Sequence, residues 1–491
     1  MNKVLFTNAY FYRFDTKQWE DQRPYPPYGT MYAAALLRQE GYEVELFDTN
    51  LASSPKELEP YLAHAPNFLV IYDDGFNYLS KMCLTVMREA ALEMIRMARN
   101  QVDYILVCSS DSTDHSALYL DAGADFVIKG EGELTLSELC GLLKNGETKA
   151  AKDILGVAYY NNGKLVSNTK RPVLKNLDEL PDPAWDLVDT SGYEEIWRNG
   201  RGFFSLNIAT TRGCPFKCNW CAKPIYGNRY NSRSPRRVAQ EMAMLMQNKG
   251  AEYFWVCDDI FGLKPGWVQA FQKEIDRLGI QPRYKIQSRA DLLLEADNID
   301  ALAKSGLDEV WIGAESGSQA ILDAMDKGTQ VEQIYEATRL LKARGVRVGF
   351  FLQFGYLGET KEDIKKTIKM VRELVPDDIG ISVSYPLPGT KFFDMVASQL
   401  EGKQNWTDSD DLAMMYRGTF SPAYYRRLHR YVHKVFRLQQ GWEAFTRLLQ
   451  RPLQASAKSL RSAAATVYYL PAMWLDRIRL QRLQRLQGTK E

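Results

Sequence analysis

The sequence predicts an α/β protein in which a doubly wound parallel sheet precedes a partial (β/α) barrel and a helical, basic region follows. Three observations predict it. Short apolar runs alternate with helical-period stretches in two separate series, a Pro- and Asp-rich stretch divides the series, and the strand signal stops near Arg417. At 491 residues, 45% of them hydrophobic, the chain exceeds a single typical core and suits two or three domains.

The first series has apolar runs at 4–6, 44–47, 68–72, 104–107 and 126–128, with helical periodicity at 32–38 and 86–97 between them. Short continuous runs of this kind are buried on both faces, as in a parallel sheet flanked by helices, so residues 1–145 read as a Rossmann-like, flavodoxin-like domain. Residues 146–199, which include Leu180-Pro181-Asp182-Pro183-Ala184-Trp185, read as a linker. The second series, at 206–209, 254–256, 285–287, 310–312, 346–354 and 379–383, gives six strands within a barrel assigned to 200–400. In such a barrel, chemistry belongs at the carboxyl ends of the strands. Residues 401–491 read as a helical region in which Tyr424, Tyr425, Tyr431, Phe436, Trp442 and Phe445 lie among arginines.

Lys and Arg number 62 against 61 Asp and Glu, but from Arg417 onward there are fifteen basic and three acidic residues. The near-neutral total therefore hides a basic tail, suited to an anionic partner or membrane surface, or simply to a solvated helix. No stretch reaches the roughly eighteen uninterrupted apolar residues needed to span a bilayer, and the opening reads as a strand, not a secretory signal. The expected location is cytoplasmic, with peripheral contact at the inner face of the membrane through the tail as an option.

Seven cysteines in this length are too few and too clustered for a disulfide framework. Cys214, Cys218 and Cys221 fall in Thr211-Arg212-Gly213-Cys214-Pro215-Phe216-Lys217-Cys218-Asn219-Trp220-Cys221, a loop after the first barrel strand. Three closely spaced thiolates can wrap one iron–sulfur cluster and leave one iron open. Structural zinc usually takes four ligands, and no second CxxC pair exists here.

This CxxxCxxC pattern, with the aromatic Trp220 before its last cysteine, resembles the signature of the radical S-adenosylmethionine (SAM) superfamily. The resemblance implies a [4Fe-4S] cluster on Cys214, Cys218 and Cys221, with Trp220 beside the cofactors. It places Asp258 and Asp259, after the second strand, at the SAM ammonium, or else at a helix cap. Arg289, after the third, suits the SAM carboxylate or a structural ion pair. Glu315 and Ser316, after the fourth, match the ribose-contacting segment, and Gly355, after the fifth, the Gly-rich adenine-side turn. Glu359 caps the following helix in this reading, with Asp363 and Lys365 solvated, and Tyr385 to Thr390 border the substrate cavity.

The first domain resembles the cobalamin-binding domain of a large radical SAM class, which includes methyltransferases and the anaerobic Mg-protoporphyrin ester cyclase. That likeness rests on Tyr25-Pro26-Pro27-Tyr28-Gly29-Thr30, Leu46-Phe47-Asp48 and the Gly123 to Glu133 segment. It implies cobalamin near Tyr28, Gly29, Ser109, Ser110, Gly130, Glu131 and Gly132, at the ligand-binding edge of a doubly wound sheet. The Asp-x-His-x-x-Gly motif for a lower axial histidine is absent, so the cobalt would lack a protein imidazole; a flavodoxin-like domain without cofactor is the alternative. Cys83, Cys108 and Cys140 read as buried thiols.

The resemblance implies SAM cleavage and radical chemistry at an unactivated carbon, with cobalamin-dependent C-methylation as the expected outcome. Oxidative cyclisation without methyl transfer is the alternative, and a non-catalytic cobalamin or iron–sulfur sensor a remote one. Expected partners are an organic, lipid-like substrate and an electron donor such as flavodoxin or ferredoxin, with no nucleic acid.

Overall fold

The computed structural model describes residues 2–76, 80, 83–223, 225–387, 389–400, 416–450 and 457–488. Two parallel sheets organise it. In the first, β1 (Lys3–Thr7), β2 (Glu43–Phe47), β3 (Phe68–Tyr72), β4 (Tyr104–Cys108) and β5 (Phe126–Ile128) are parallel in the order 2-1-3-4-5. This is the flavodoxin-like order, in which the order of winding reverses between β1 and β3 while all strands stay parallel. All five residues of β3 are buried, as helices on both faces require.

The sheet continues into the stretch expected to be linker. β6 (Val157–Asn161) and β7 (Lys164–Ser167) form an antiparallel hairpin that pairs with β5. The boundary near residue 145 is thereby corrected. Gly163, at φ +73°, supplies the left-handed turn position that the short hairpin needs.

The six-stranded sheet comprises β8 (Ser205–Ile208), β11 (Tyr253–Val256), β12 (Arg283–Ser288), β13 (Leu307–Glu315), β14 (Arg347–Phe354) and β15 (Asp378–Val383). They are parallel and in sequential order, as a partial (β/α) barrel requires. Two short strands, β9 (Thr211–Arg212) and β10 (Asn231–Ser232), pair as a separate ribbon. On the face away from the helices, the Trp311 indole covers Gly349 and Gly380: a Cβ on Gly349 would lie 2.6 Å from its ring.

The two sheets are locked together by buried charge. Arg212, 3% exposed, donates to Glu131 at 2.5 Å and to Glu133 at 2.7 Å, and the Tyr32, Phe76 and Tyr226 rings lie 5.4 to 5.6 Å from its guanidinium. Arg233 donates to Glu241 at 2.6 Å. The same carboxylate accepts from the Tyr28 hydroxyl at 3.0 Å and from the Trp185 indole at 3.0 Å. Tyr28 begins α1 (Tyr28–Gln39), which Pro26 and Pro27 precede, while Glu241 lies in α2 (Pro235–Lys249), capped by Ser234 with proline at its first position. The Tyr25 hydroxyl meets Ser205 at 3.3 Å and Asn207 donates to the Pro26 carbonyl, so the segment before α1 seals the barrel floor.

After the barrel, α3 (Pro422–Gln450) packs on β15 and runs antiparallel to α4 (Ala457–Gly488). Asp476, 1% exposed in α4, is held by Arg427 at 2.8 Å and Lys434 at 2.5 Å of α3. Residues 401–415, expected to open the helical region, lie outside the described residues.

Removing a carboxylate that neutralises a buried guanidinium leaves an unpaired charge, at a cost of about 3–5 kcal/mol. Glu241→Ala is therefore expected to lower unfolding stability by about that amount in urea titration; a loss within error of zero would show that the Glu241 cluster with Arg233, Tyr28 and Trp185 is not a stabilising link.

Candidate functional site

The loop of Cys214, Cys218 and Cys221 is held from several directions. At its base, Asp258 accepts from the Thr210 and Thr211 amides at 2.7 and 3.0 Å and from the Thr210 hydroxyl. Gly213 has φ +78°, and a Cβ there would lie 2.4 Å from the Arg229 carbonyl oxygen. Midway, Asn219 donates from its amide to the Met325 carbonyl and from its side chain to Ala324, while its side-chain oxygen accepts from the Tyr356 hydroxyl at 2.9 Å. The Asn219 carbonyl accepts from the Phe392 amide. Segments following β13, β14 and β15 thus all grip the residue between Cys218 and Trp220.

These three thiols are partly exposed, whereas Cys83, Cys108, Cys140 and Cys257 are buried. Burial pushes the Cys214 thiol up and the Cys221 thiol up to about 12, with Asp259 adding to both. Such thiols hold their protons near neutrality, so binding a metal must displace them. Among the described residues no group of three or more His, Cys, Asp and Glu is drawn together as a single-ion site. The donor chemistry, three thiols on one loop without a fourth ligand, fits a cluster with one open iron better than zinc.

Around this loop the expected residues fall into two groups. Asp259 is exposed at the end of the second barrel strand, close enough to Cys214 and Cys221 to act on both. Trp220 has its indole N–H buried without a partner. Glu315 ends β13 at a register shift, with φ +55°, a strained left-handed conformation of the kind that recurs at functional sites. It accepts from Lys327 at 2.9 Å. Burial works to lower the pKa of Lys327, but Glu315 and Cys218 outweigh it and hold the value raised. Lys327, in Asp326-Lys327-Gly328, is a residue that sequence reasoning missed; only its lone position after a short helix offered a signal.

The other group is engaged in structure. Asp258 has both oxygens engaged by Thr210 and Thr211 at the base of the cysteine loop. Arg289 pairs with Asp291 at 2.9 Å, donates to the Lys327 carbonyl and lies 3.7 Å over the Phe216 ring between two cysteines, so the ion-pair alternative is the one observed. Ser316 shares a hydrogen bond with Thr367 and accepts from the Ser318 amide. Gly355, at φ +81°, donates to Glu359 at 2.7 Å and accepts from the Tyr416 hydroxyl.

Glu359 does not cap the helix between β14 and β15 (Lys361–Leu374): Thr360 does, reciprocally with Asp363. Asp363 is buried and accepts from Ser318, not solvated as expected, whereas Lys365 is exposed. Burial raises Glu359 to about 8. Tyr385, after β15, packs against the first domain's core, and burial raises it to about 12, with Cys221 and Glu315 adding to the shift. It therefore stands between the cysteine loop and the first sheet; Pro388 of the same segment lies outside the described residues.

The first sheet turns its carboxyl edge toward the same loop. A Cβ on Gly75 would lie 2.6 Å from the Ile225 side chain, and one on Gly130, at φ +81°, 3.4 Å from the Ile225 carbonyl. Several of the expected cobalamin contacts are engaged in domain packing. Tyr28 bonds Glu241, Gly29 donates to Asp74 at 3.1 Å, Glu131 pairs with Arg212, and Gly132 abuts the Cys108 sulfur and Tyr72. Ser109 caps its helix through Ser112, and Ser110 is buried beside it. Of the two histidines before the barrel, His64 bonds Glu45 on the surface and His115 stands at the carboxyl edge, 3.9 Å from Asp111.

Residues 208–371 match the model of the radical SAM superfamily. The chain is 28% identical over 397 residues to an uncharacterised methyltransferase of Pyrococcus horikoshii, covering 78% of this chain and 81% of that one. It is 23% identical over 443 residues to the anaerobic magnesium-protoporphyrin IX monomethyl ester cyclase of Synechocystis, covering 89% and 85%. In fold it resembles the radical SAM methyltransferase TsrM of Kitasatospora setae, solved with cobalamin and a [4Fe-4S] cluster, with a TM-score of 0.68, 21% identity and coverage of 87% and 82%.

Cys214→Ala, Cys218→Ala and Cys221→Ala are each expected to lose most of the iron taken up on anaerobic reconstitution, whereas Cys83→Ala keeps it; equal iron in all four would dissolve the donor set. A second expectation concerns pH. The folded Glu359 carboxyl stays protonated to about 8, against an ordinary 4.5, so its stabilising contribution is whole below the ordinary value and is lost as pH rises through about 8. Glu359→Gln keeps an acceptor for Gly355 and has no proton to lose. Its unfolding stability is thus expected to gain on the unsubstituted protein between acid and mildly alkaline pH, and parallel pH profiles would refute the assignment.

Proposed function

We propose that the chain, which matches the radical SAM model over residues 208–371, is a radical SAM enzyme that carries out cobalamin-dependent C-methylation of an unactivated carbon. One observation carries the reading: three part-exposed thiols sit on a loop gripped by segments after three barrel strands and faced by the carboxyl edge of a flavodoxin-like sheet. In this reading Cys214, Cys218 and Cys221 hold a [4Fe-4S] cluster, and cobalamin lies along the facing sheet edge, at the switch point where doubly wound folds bind ligands. When bound, the cluster supplies the electron that splits SAM to methionine and a 5′-deoxyadenosyl radical, and methylated cobalamin supplies the methyl group.

The protein's own contribution is placement and exclusion. Asp259 offers a carboxylate beside the thiols for the SAM ammonium. The Glu315 carboxylate, oriented by Lys327, suits the ribose hydroxyls, and the Trp220 indole N–H offers a donor next to Cys221. Gly355 serves the adenine side through the turn that Glu359 closes, while Asp258, Arg289 and Ser316 act by holding loops. Tyr385 borders the substrate chamber between loop and sheet. The aromatic and ionic seam around Arg212 keeps water from its wall, which protects a radical from quenching.

The fold likeness to a methyltransferase solved with cobalamin, and the similarity to an archaeal methyltransferase, support methyl transfer. The cyclase of Synechocystis, matched over most of both chains, supports the second reading, oxidation and ring closure of an organic substrate. Either reading needs an external one-electron donor of the flavodoxin or ferredoxin kind.

Anaerobic reduction of the reconstituted protein with methyl-labelled SAM and added cobalamin tests both. The expected result is 5′-deoxyadenosine, a bound corrinoid seen by absorbance and label transferred to a product. Deoxyadenosine with bound corrinoid but an oxidised, unlabelled product would select cyclisation, and deoxyadenosine formed equally by Cys218→Ala would overturn the cluster assignment.

A further inference from the structure

The final helices carry apolar side chains on the face turned to water. In α4, Leu460, Val467, Tyr468, Trp474 and Leu475 recur at helical spacing and share one face. All are exposed, Val467 by 79%, Tyr468 by 64% and Trp474 by 60%. The opposite face is built of smaller groups: a Cβ on Gly441 of α3 would lie 2.4 Å from Thr466 and 2.8 Å from the Ser462 carbonyl. Trp442, Phe445 and Leu449 extend the exposed stripe onto α3. An amphipathic pair in a water-soluble monomer shows the reverse arrangement, so this surface is built for a partner.

Charge narrows the partner. Residues 462–475 carry no charge, and exposed Arg461 precedes them while exposed Arg477, Arg479 and Arg482 follow. From Arg417 onward fifteen basic residues face three acidic ones. A second copy docking on this stripe would bring two strongly basic surfaces together, which like-charge repulsion opposes. A nucleic acid would satisfy the arginines and leave the stripe in water. No helix among the described residues is long and apolar enough to cross a membrane, so the hairpin can lie on a bilayer but not span it.

We propose that the α3–α4 hairpin docks the enzyme on an anionic lipid surface, with the Val467–Trp474 stripe in the headgroup region and the flanking arginines against lipid phosphates. Tryptophan and tyrosine favour that depth because one end of the ring is apolar and the other polar. Basic residues near an anionic leaflet add attraction that salt screens. The inference is independent of the barrel chemistry.

The full-length reconstituted enzyme is expected to sediment at low salt with mixed phosphatidylcholine–phosphatidylglycerol vesicles, and about tenfold less with phosphatidylcholine alone. Val467→Ser combined with Trp474→Ser, and separately Arg461→Ser combined with Arg482→Ser, are each expected to lower the bound fraction by about tenfold while deoxyadenosine formation in vesicle-free solution stays unchanged. No sedimentation with the anionic vesicles, binding by the double variants undiminished from that of the unsubstituted protein, or equal binding to neutral vesicles would overturn the proposal. So would a dimer in solution that the apolar variant dissociates, since that would assign the stripe to a second copy. Absence of deoxyadenosine in the unsubstituted enzyme would count against the proposed function and leave the vesicle result standing.

Discussion

The position of the cysteine loop depends on a buried guanidinium. Arg212 lies two residues before Cys214, and its side chain is clamped by Glu131 and Glu133 from the loop after β5 of the other sheet. Burying such a charge is tolerable only when it is paired and bonded, so the carboxylates, the rings around it and the approach of the two sheets form one unit. A shift of the first domain would strip Arg212 of its partners while moving the strand that leads into the thiols. Arg233 with Glu241 repeats the device one strand away and adds Tyr28 and Trp185 to it. The seam therefore fixes which edge of the first sheet looks at the cysteines.

That geometry sets the carboxyl edges of both sheets against the cysteine loop. Both present their carboxyl edges to a common space, and in each that is where loops carry variable chemistry. On the barrel side the loop between Cys218 and Trp220 is bonded to segments following three different strands, so its shape is set by the whole barrel and not by its own sequence. On the opposite side Gly75 and Gly130 permit a backbone approach that larger residues would block. Tyr385 crosses between the two, touching one domain's core while its phenol lies near Cys221 and Glu315.

The strands and the cysteine triplet were legible because each writes itself locally: a buried strand as a short apolar run, a cluster loop as spaced thiols. All six barrel strands were found on that basis. The hairpin of β6 and β7 was not, because its outer residues are exposed and its pairing with β5 is decided by a neighbour rather than by its own pattern. Residue roles were least legible. Tyr28 and Glu131 stand at positions that resemble ligand contacts, but their partners, Glu241 and Arg212, lie 213 and 81 residues away. Lys327 was missed for the same reason, since only the fold brings it to Glu315.

The same distinction bears on which acidic residues can serve a cofactor. Asp258 and Asp259 are adjacent in sequence and equal in chemistry, yet the first is buried on three hydrogen bonds to the loop base and the second is exposed beside the thiols. A carboxylate satisfied by backbone amides gains little from a further cation, whereas one that raises the proton affinity of nearby thiols is positioned to be relieved by an ammonium group or a metal-bound cationic ligand. Substituting Asp258 should then disturb the loop before it disturbs binding, and substituting Asp259 the reverse. The contrast between two neighbouring aspartates arises in the turn after β11, which buries Asp258 against Thr210 and Thr211 and leaves Asp259 exposed near Cys214 and Cys221.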